Sequence, residues 1–192
     1  MRAELLSAAR GRTLEVGAGT GLNLPHYPAA VTDLALVEPS RPMAAKLRRK
    51  VSAGSVTARI VEAGGEQLPF AERVFDTVVV TLVLCTTPDP AAVVREIARV
   101  LTPGGRLLFL EHVRSKDARL ARWQDRLAGP WKLLANGCHC NRDTRAIVAA
   151  SPLVLEGVRD VALPSVGPLV RPAIVGSAVL VGAGSESRKV TP

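Results

Sequence analysis

The sequence is short of aromatic residues, at 3% of its 192 positions, and short of cysteine, with three. Proteins that read nucleic-acid bases stack them on Phe, Tyr and Trp, so the scarcity of aromatics argues against a nucleic-acid partner. Cys85, Cys138 and Cys140 are too few and too unevenly placed for a disulfide framework, and reduced thiols are expected. A long apolar run is missing from the start, where Met1-Arg2-Ala3-Glu4-Leu5-Leu6 meets charge at once. Neither a signal peptide nor a membrane span is read there, and a cytoplasmic location is expected. The apolar stretch near the C-terminus is broken by Arg171-Pro172 and by glycines, which makes it too short for a bilayer helix. Acidic residues are outnumbered: 17 Asp and Glu against 25 Lys and Arg leave a net charge of +8. That excess suits an anionic partner or a plain solvated basic face, and charge alone does not choose between them.

What is present is enough apolar content for one globular domain, with 47% hydrophobic and 22% charged residues. The domain is expected over residues 1–184, followed by a polar, disordered tail over 185–192. Apolar runs bounded by Gly, Pro or charge predict strands at 13–16, 34–37, 59–62, 75–84 and 106–112, with two more near 153–161 and 173–181. Helical segments separate them, beginning with a short one at 2–9 and including one around Met43 and Leu47. The clearest starts at Asp89-Pro90, an N-cap acceptor followed by proline, and ends before Thr102-Pro103-Gly104-Gly105. Strand and helix alternate, so the fold class is α/β: a doubly wound, mainly parallel sheet.

The first strand runs into Glu15-Val16-Gly17-Ala18-Gly19-Thr20-Gly21. Glycines there let the backbone turn sharply and approach a ligand with no Cβ in the way. A dinucleotide fingerprint needs Gly or Ala where Leu22 stands, and a carboxylate at Glu15 would repel a pyrophosphate, so a nicotinamide dehydrogenase is disfavoured. Glu15 can instead receive a cationic ligand, and Glu38, at the end of the second strand, stands where an acid grips ribose hydroxyls.

Four motifs in order carry a resemblance: Leu14 to Gly21, Val37-Glu38-Pro39-Ser40, Glu66-Gln67-Leu68-Pro69-Phe70 before Phe75-Asp76, and Arg99 to Gly105. The chain resembles the class I S-adenosylmethionine-dependent methyltransferases, in the branch of the ubiquinone/menaquinone methyltransferases. Thr81-Leu82-Val83-Leu84-Cys85, Glu111-His112-Val113 and Gly137-Cys138-His139-Cys140-Asn141-Arg142-Asp143-Thr144 bring it nearer to the methyltransferase-like proteins that methylate thiols, and to their bacterial relatives. The resemblance implies a Rossmann-like, seven-stranded sheet with a C-terminal antiparallel strand, S-adenosylmethionine as cofactor, and a small thiol, phenol, quinone or lipid-like acceptor. It implies a cofactor site of Glu15, Gly17, Ala18, Gly19, Gly21, Glu38, Pro39, Ser40, Met43, Gly65, Glu66, Thr81 and Leu82. Where quinone methyltransferases commonly place Asp before Glu-Leu-Pro-Phe, this chain has Gly64, which shifts the adenine contact to backbone or to Glu66. The segment before the first strand is shorter than the helical cover usual in the family, so the site is expected to lack its own lid. A non-catalytic S-adenosylmethionine-binding protein and an RNA methyltransferase remain as alternatives, the latter without the Asn-Pro-Pro-Tyr type motif of base amino methylation.

On the acceptor side, His112 at the end of the fifth strand is the candidate catalytic base, with Cys85, Glu111 and Trp123 lining the pocket, and the resemblance implies that the loop carrying His139 lines it too. Cys138-His139-Cys140 crowds three metal-type donors without the gaps of zinc sites, so no metal is expected. Between residues 116 and 135, Leu120, Trp123 and Leu127 form one helical face beside Arg119, Arg122 and Arg126, until Pro130-Trp131 breaks the helix. That face is expected to cap the substrate opening, with contact to an anionic membrane surface as the alternative.

Overall fold

In the computed structural model, residues 1–54, 56–135 and 137–181 are described; the tail expected over 185–192 lies outside them. Seven strands form one sheet in the order β3-β2-β1-β4-β5-β7-β6. β1 (Gly11–Val16), β2 (Val31–Val37), β3 (Arg59–Val61), β4 (Phe75–Thr81) and β5 (Leu101–His112) are mutually parallel. β6 (Leu153–Ala162) and β7 (Pro172–Leu180) pair antiparallel, and β7 also runs antiparallel to β5. The expected C-terminal hairpin pair is therefore present, and β7 alone opposes the direction of the sheet.

Central strands are buried on both faces, which is why they read as unbroken β-branched and aliphatic runs rather than alternating ones. Val78, Val79 and Val80 of β4 and Leu107 of β5 are fully buried. α2 (Arg41–Ala53) buries Ala44 and Leu47 and turns its Lys and Arg side chains outward. α3 (Pro90–Val100) begins where the Asp89 carboxylate accepts from the Ala92 backbone N–H at 2.9 Å. It buries Val93, Val94, Ile97, Ala98 and Val100 against the sheet. Cutting back a side chain such as Ile97 to Ala there costs about 2–5 kcal/mol.

β1 and β2 begin two and three residues early, at Gly11 and Val31, and four further expectations change for local reasons. α1 (Arg2–Leu6) stops three residues early, where the Ser7 hydroxyl donates to the Glu4 carbonyl and Gly11 turns into β1 at φ 64°. β4 ends at Thr81 because Leu82 takes φ 60°, a left-handed conformation no strand continues through. β5 begins at Leu101, five residues early, because Leu101 pairs with Phe75 before a register shift brings Arg106 opposite Thr77.

The fourth change concerns α4 (Ala118–Leu134), which is not broken at Pro130-Trp131. Proline deletes one donor, yet Ala135 N donates to Trp131 O at 2.8 Å and Gly137 N to Lys132 O at 2.9 Å, holding the last turn. Its buried face is also not the expected one: Ala121 and Gln124 point inward, while Trp123 is 55% exposed. α5 (Thr144–Ala149) follows, capped by the Asp143 carboxylate.

Candidate active site

Strand order reverses between β1 and β4, and there the loops leaving both strands diverge. A cavity of about 830 Å³ opens at these carboxyl ends. Open α/β sheets bind ligands in that crevice, and the volume falls within the range of about 300–1,000 Å³ usual for small-molecule sites.

The cavity is lined from the glycine loop by Glu15, Gly17, Ala18 and Gly19, and from the end of β2 by Glu38, Pro39, Ser40 and Met43. Gly65, Glu66, Thr81 and Leu82 complete the wall that the motifs anticipated. Gly21 is the exception: a Cβ there would meet Leu24 and Leu47 at 2.7 Å, so it serves the turn and not the cavity lining. Gly19, at φ 57°, has nothing within 4 Å of a Cβ position, leaving backbone open to the cavity.

The Glu38 carboxylate is held by two backbone donors, Gly19 N to Oε2 at 2.8 Å and Ser40 N to Oε1 at 2.9 Å. It thereby ties the glycine loop to the start of α2 and keeps lone pairs free toward a polyhydroxyl ligand. Glu66 lies across the cavity and accepts from the Thr87 hydroxyl. Arg99 fixes the approach to that wall, donating to the carbonyls of Phe70 at 2.9 Å and Leu68 at 3.0 Å while paired with Glu96.

Glu15 sits at the floor, 2% exposed, and accepts from Asn23 Nδ2 at 2.9 Å and from the Tyr27 hydroxyl at 2.7 Å. Burial raises its carboxyl to about 7, against the lowering effect of the Tyr27 and Asn23 hydrogen bonds. The same burial lifts the Tyr27 phenol well above its ordinary value. Arg2 also lines the cavity and donates to Asn23 Oδ1 at 2.8 Å and Thr81 Oγ1 at 3.0 Å. Arg2, Asn23 and Tyr27 carry no motif, and only the fold brings them to Glu15.

Of the anticipated acceptor-side residues, Glu111, Cys85 and His112 lie behind this lining rather than on it. Glu111 is fully buried, its oxygens accepting from Val83 N at 2.8 Å and Cys85 N at 3.0 Å, so it braces the loop that walls the cavity. Burial pushes its carboxyl up, opposed by those backbone donors. Cys85 is buried with Cys138, Cys140 and Val170, and Leu82, Trp131 and Val166 pack on that group. His112 Nδ1 stands 3.8 Å from Cys85 Sγ and 3.5 Å from Cys138 Sγ. Its Nε2 is buried with no hydrogen-bond partner among the described residues. The Cys85 thiol is shifted up and the Cys138 thiol down by the hydrogen bond between them, with His112 assisting at Cys138.

His139 is not among these clustered donors; its backbone N donates to Cys85 O at 2.7 Å, and burial lowers its imidazole. Trp123 borders a surface groove with Arg119, Arg122, Asp125 and Arg126, so it does not line the cavity as expected. The Cys138-His139-Cys140 stretch thus contributes one sulfur to a cluster whose other members, Cys85 and His112, are remote in sequence.

A family described as a methyltransferase domain matches residues 14–109. The thiol S-methyltransferase TMT1A of Homo sapiens is 35% identical over 171 residues, covering 86% of this chain and 69% of that protein. The thiol S-methyltransferase TMT1B of Rattus norvegicus is 37% identical over 135 residues, covering 68% of this chain and 55% of that protein. Among solved structures, a putative methyltransferase from Bacillus halodurans C-125 superposes with a TM-score of 0.77 at 17% identity, over 94% of this chain and 99% of that one. At that identity the superposition speaks to the fold.

Proposed function

The chain belongs to the S-adenosylmethionine-dependent methyltransferases, and from that premise we propose that its acceptor is a small thiol, bound at the β4–β5 end of the cavity. The observation that carries the proposal is the convergence of the glycine loop, Glu38 and Glu66 on one cavity, with a sulfur- and imidazole-rich cluster against its Leu82 wall. The similarity to TMT1A and TMT1B supports the choice of sulfur over oxygen or nitrogen.

When bound, the cofactor would supply an electrophilic methyl on sulfonium for in-line displacement by an acceptor sulfur, with the carbon–sulfur electron pair leaving on the thioether. The chain's part is to hold and to orient. We assign Glu38 to the ribose hydroxyls, the exposed backbone of Gly17 to Gly19 to the methionine portion, and Ser40, Met43, Gly65 and Glu66 to the adenine side. Glu15, directly or through the Asn23 and Tyr27 network, faces the amino acid cation. Pro39, Thr81 and Leu82 close the pocket. Gly21 supports the turn from behind.

His112 is the residue we assign to acceptor activation. A thiol reacts as thiolate, so its proton must leave at this end of the site, where His112 offers the imidazole. Cys85 and Cys138 flank it, and Glu111 positions the loop from which Cys85 comes.

We further propose cytoplasmic placement with peripheral contact to an anionic membrane surface. No helix among the described residues is long and apolar enough to cross a membrane. α4 instead presents Trp123, Leu133 and Leu134 to solvent, the last two 86% and 84% exposed, beside Arg119, Arg122, Arg126 and Lys132. Apolar anchors with flanking cations suit a headgroup interface. A blue shift of tryptophan emission on anionic vesicles, lost in Trp123→Ala, is expected; no shift speaks for a free surface.

The acceptor is tested by incubating the protein with S-adenosylmethionine and matched alkyl thiol, phenol and quinol acceptors, and weighing the products. A methylated thiol, strongly reduced in His112→Ala, is the expected result. S-adenosylhomocysteine binding without transfer to any acceptor would support a non-catalytic binding protein instead.

A further inference from the structure

Two thiols that the acceptor chemistry leaves unused meet His112 in one place. Cys85 comes from the loop after β4, His112 ends β5, and Cys138 comes from the loop after α4. Their ligand atoms all lie within 4.8 Å of one another. With zinc–sulfur bonds of about 2.3 Å and a zinc–nitrogen bond of about 2.1 Å at a tetrahedral angle, each sulfur stands about 3.6 Å from the nitrogen. The observed separations from His112 Nδ1, 3.5 Å to Cys138 Sγ and 3.8 Å to Cys85 Sγ, bracket that value.

The surroundings hold the donors in place. Cys85 N is tied to Glu111 and Cys85 O to His139 N, so the loop that carries the first sulfur is fixed at both polar groups. Gln124 Nε2 donates to Cys140 O at 2.9 Å and to Val113 O at 3.2 Å, joining the second sulfur's loop to the strand that carries the imidazole. Leu82 and Trp131 pack on the sulfur group, an apolar jacket that favours soft, covalent donor bonds over hydration. Cys140, fully buried in the same group, is not among the clustered ligand atoms.

We infer that Cys85, His112 and Cys138 form a three-donor site for a thiophilic divalent cation, zinc by donor type, whose fourth position takes the acceptor's sulfur. The place of the acceptor rests on the thiol reading above; the cation site does not. Three protein donors and one open position are the arrangement of zinc sites that engage a substrate. On uptake Cys85 and Cys138 give their protons to solvent, and the entering acceptor thiol likewise gives its proton to solvent on coordination. Its sulfur retains a lone pair for the methyl carbon, and with the cation bound His112 serves as a ligand through Nδ1 in place of the base it is without the cation. Leu82 lines the cavity and packs on the sulfur group, so a single residue stands between the cavity and the cation site.

The test uses the full chain, reduced with a phosphine, desalted without oxygen and titrated with Co²⁺ as a spectroscopic probe for zinc. A near-ultraviolet thiolate-to-cobalt band with tetrahedral visible bands, saturating at one equivalent, is expected. Cys138→Ser and His112→Ala weaken binding by at least about tenfold, and Cys140→Ser leaves it unchanged. Adding a small alkyl thiol then moves the visible bands. Calorimetry with S-adenosylhomocysteine on every variant reports folding and the cofactor site separately. Absence of the thiolate band in protein that still binds S-adenosylhomocysteine overturns the cation site and leaves the methyltransferase reading standing. Loss of the bands in Cys140→Ser overturns the assignment of donors. Bands that do not respond to the thiol overturn the acceptor's place at the cation.

Discussion

Gly17 and Val83 approach so closely that no side chain fits between them: a Cβ on Gly17 would stand 2.5 Å from Val83 Cγ2. Gly17 also holds φ 68°, so an alanine there meets strain and collision together. Gly17→Ala is expected to lower stability by about 2 kcal/mol and to weaken S-adenosylhomocysteine binding at least about tenfold. Adding Val83→Ala removes the colliding methyls, whose Cβ lies an ordinary 3.5 Å away, and restores part of both losses. Thermal melts and calorimetry of the two variants and their combination read this coupling.

Glu15 makes the protein sensitive to alkali. Its carboxyl is raised from 4.5 to about 7 by burial, so over that interval the folded chain holds a proton that the unfolded chain has lost. Stability contributed by the protonated form is full below 4.5, falls as pH rises, and levels off above about 7. The loss amounts to about 3 kcal/mol for a fully buried group. Urea unfolding at pH 5 and pH 8 should show wild type losing more stability than Glu15→Gln by roughly that amount. Equal losses would contradict the burial of this charge.

A cationic ligand reverses the effect at Glu15. It favours the ionised carboxyl, so S-adenosylhomocysteine binding is expected to release a proton near pH 6.5 and to tighten toward pH 8. Calorimetry in two buffers of different ionisation enthalpy measures the proton directly; Glu15→Gln should abolish its release.

Gln124 ties the Cys140 loop to the residue after β5. It is fully buried, accepts from Ser115 N at 2.7 Å, and donates from Nε2 to Val113 O, Cys140 O and Leu169 O. Gln124→Leu leaves those carbonyls without their donor and is expected to cost about 3 kcal/mol. Hydrogen exchange should accelerate around Cys138 and Cys140 in the same variant.

The cofactor half of the site was legible because it is local in sequence. Glycines at positive φ, an acid ending β2 and a capped helix at Asp89 each leave a mark in adjacent residues. The acceptor half was not, because its contacts join distant segments. Cys85, His112 and Cys138 meet only when β4, β5 and the loop after α4 are assembled, and the local Cys-His-Cys spacing pointed away from them. α4 misled for a different reason. Amphipathicity selects the bulky apolar face, whereas a single glutamine whose two amide hydrogens are shared among three carbonyls turned Ala121 and Gln124 inward. Strand ends shifted where pairing geometry outweighed composition, as at Leu82 and Leu101.

Calorimetric titration of S-adenosylhomocysteine into the full chain, beside Glu38→Ala, addresses the cofactor site most directly. Glu38 anchors Gly19 and Ser40 and is assigned to the ribose, so single-site, saturable binding weakened at least about tenfold in the variant is expected. No binding to the unaltered chain, or equal binding by both, would contradict it.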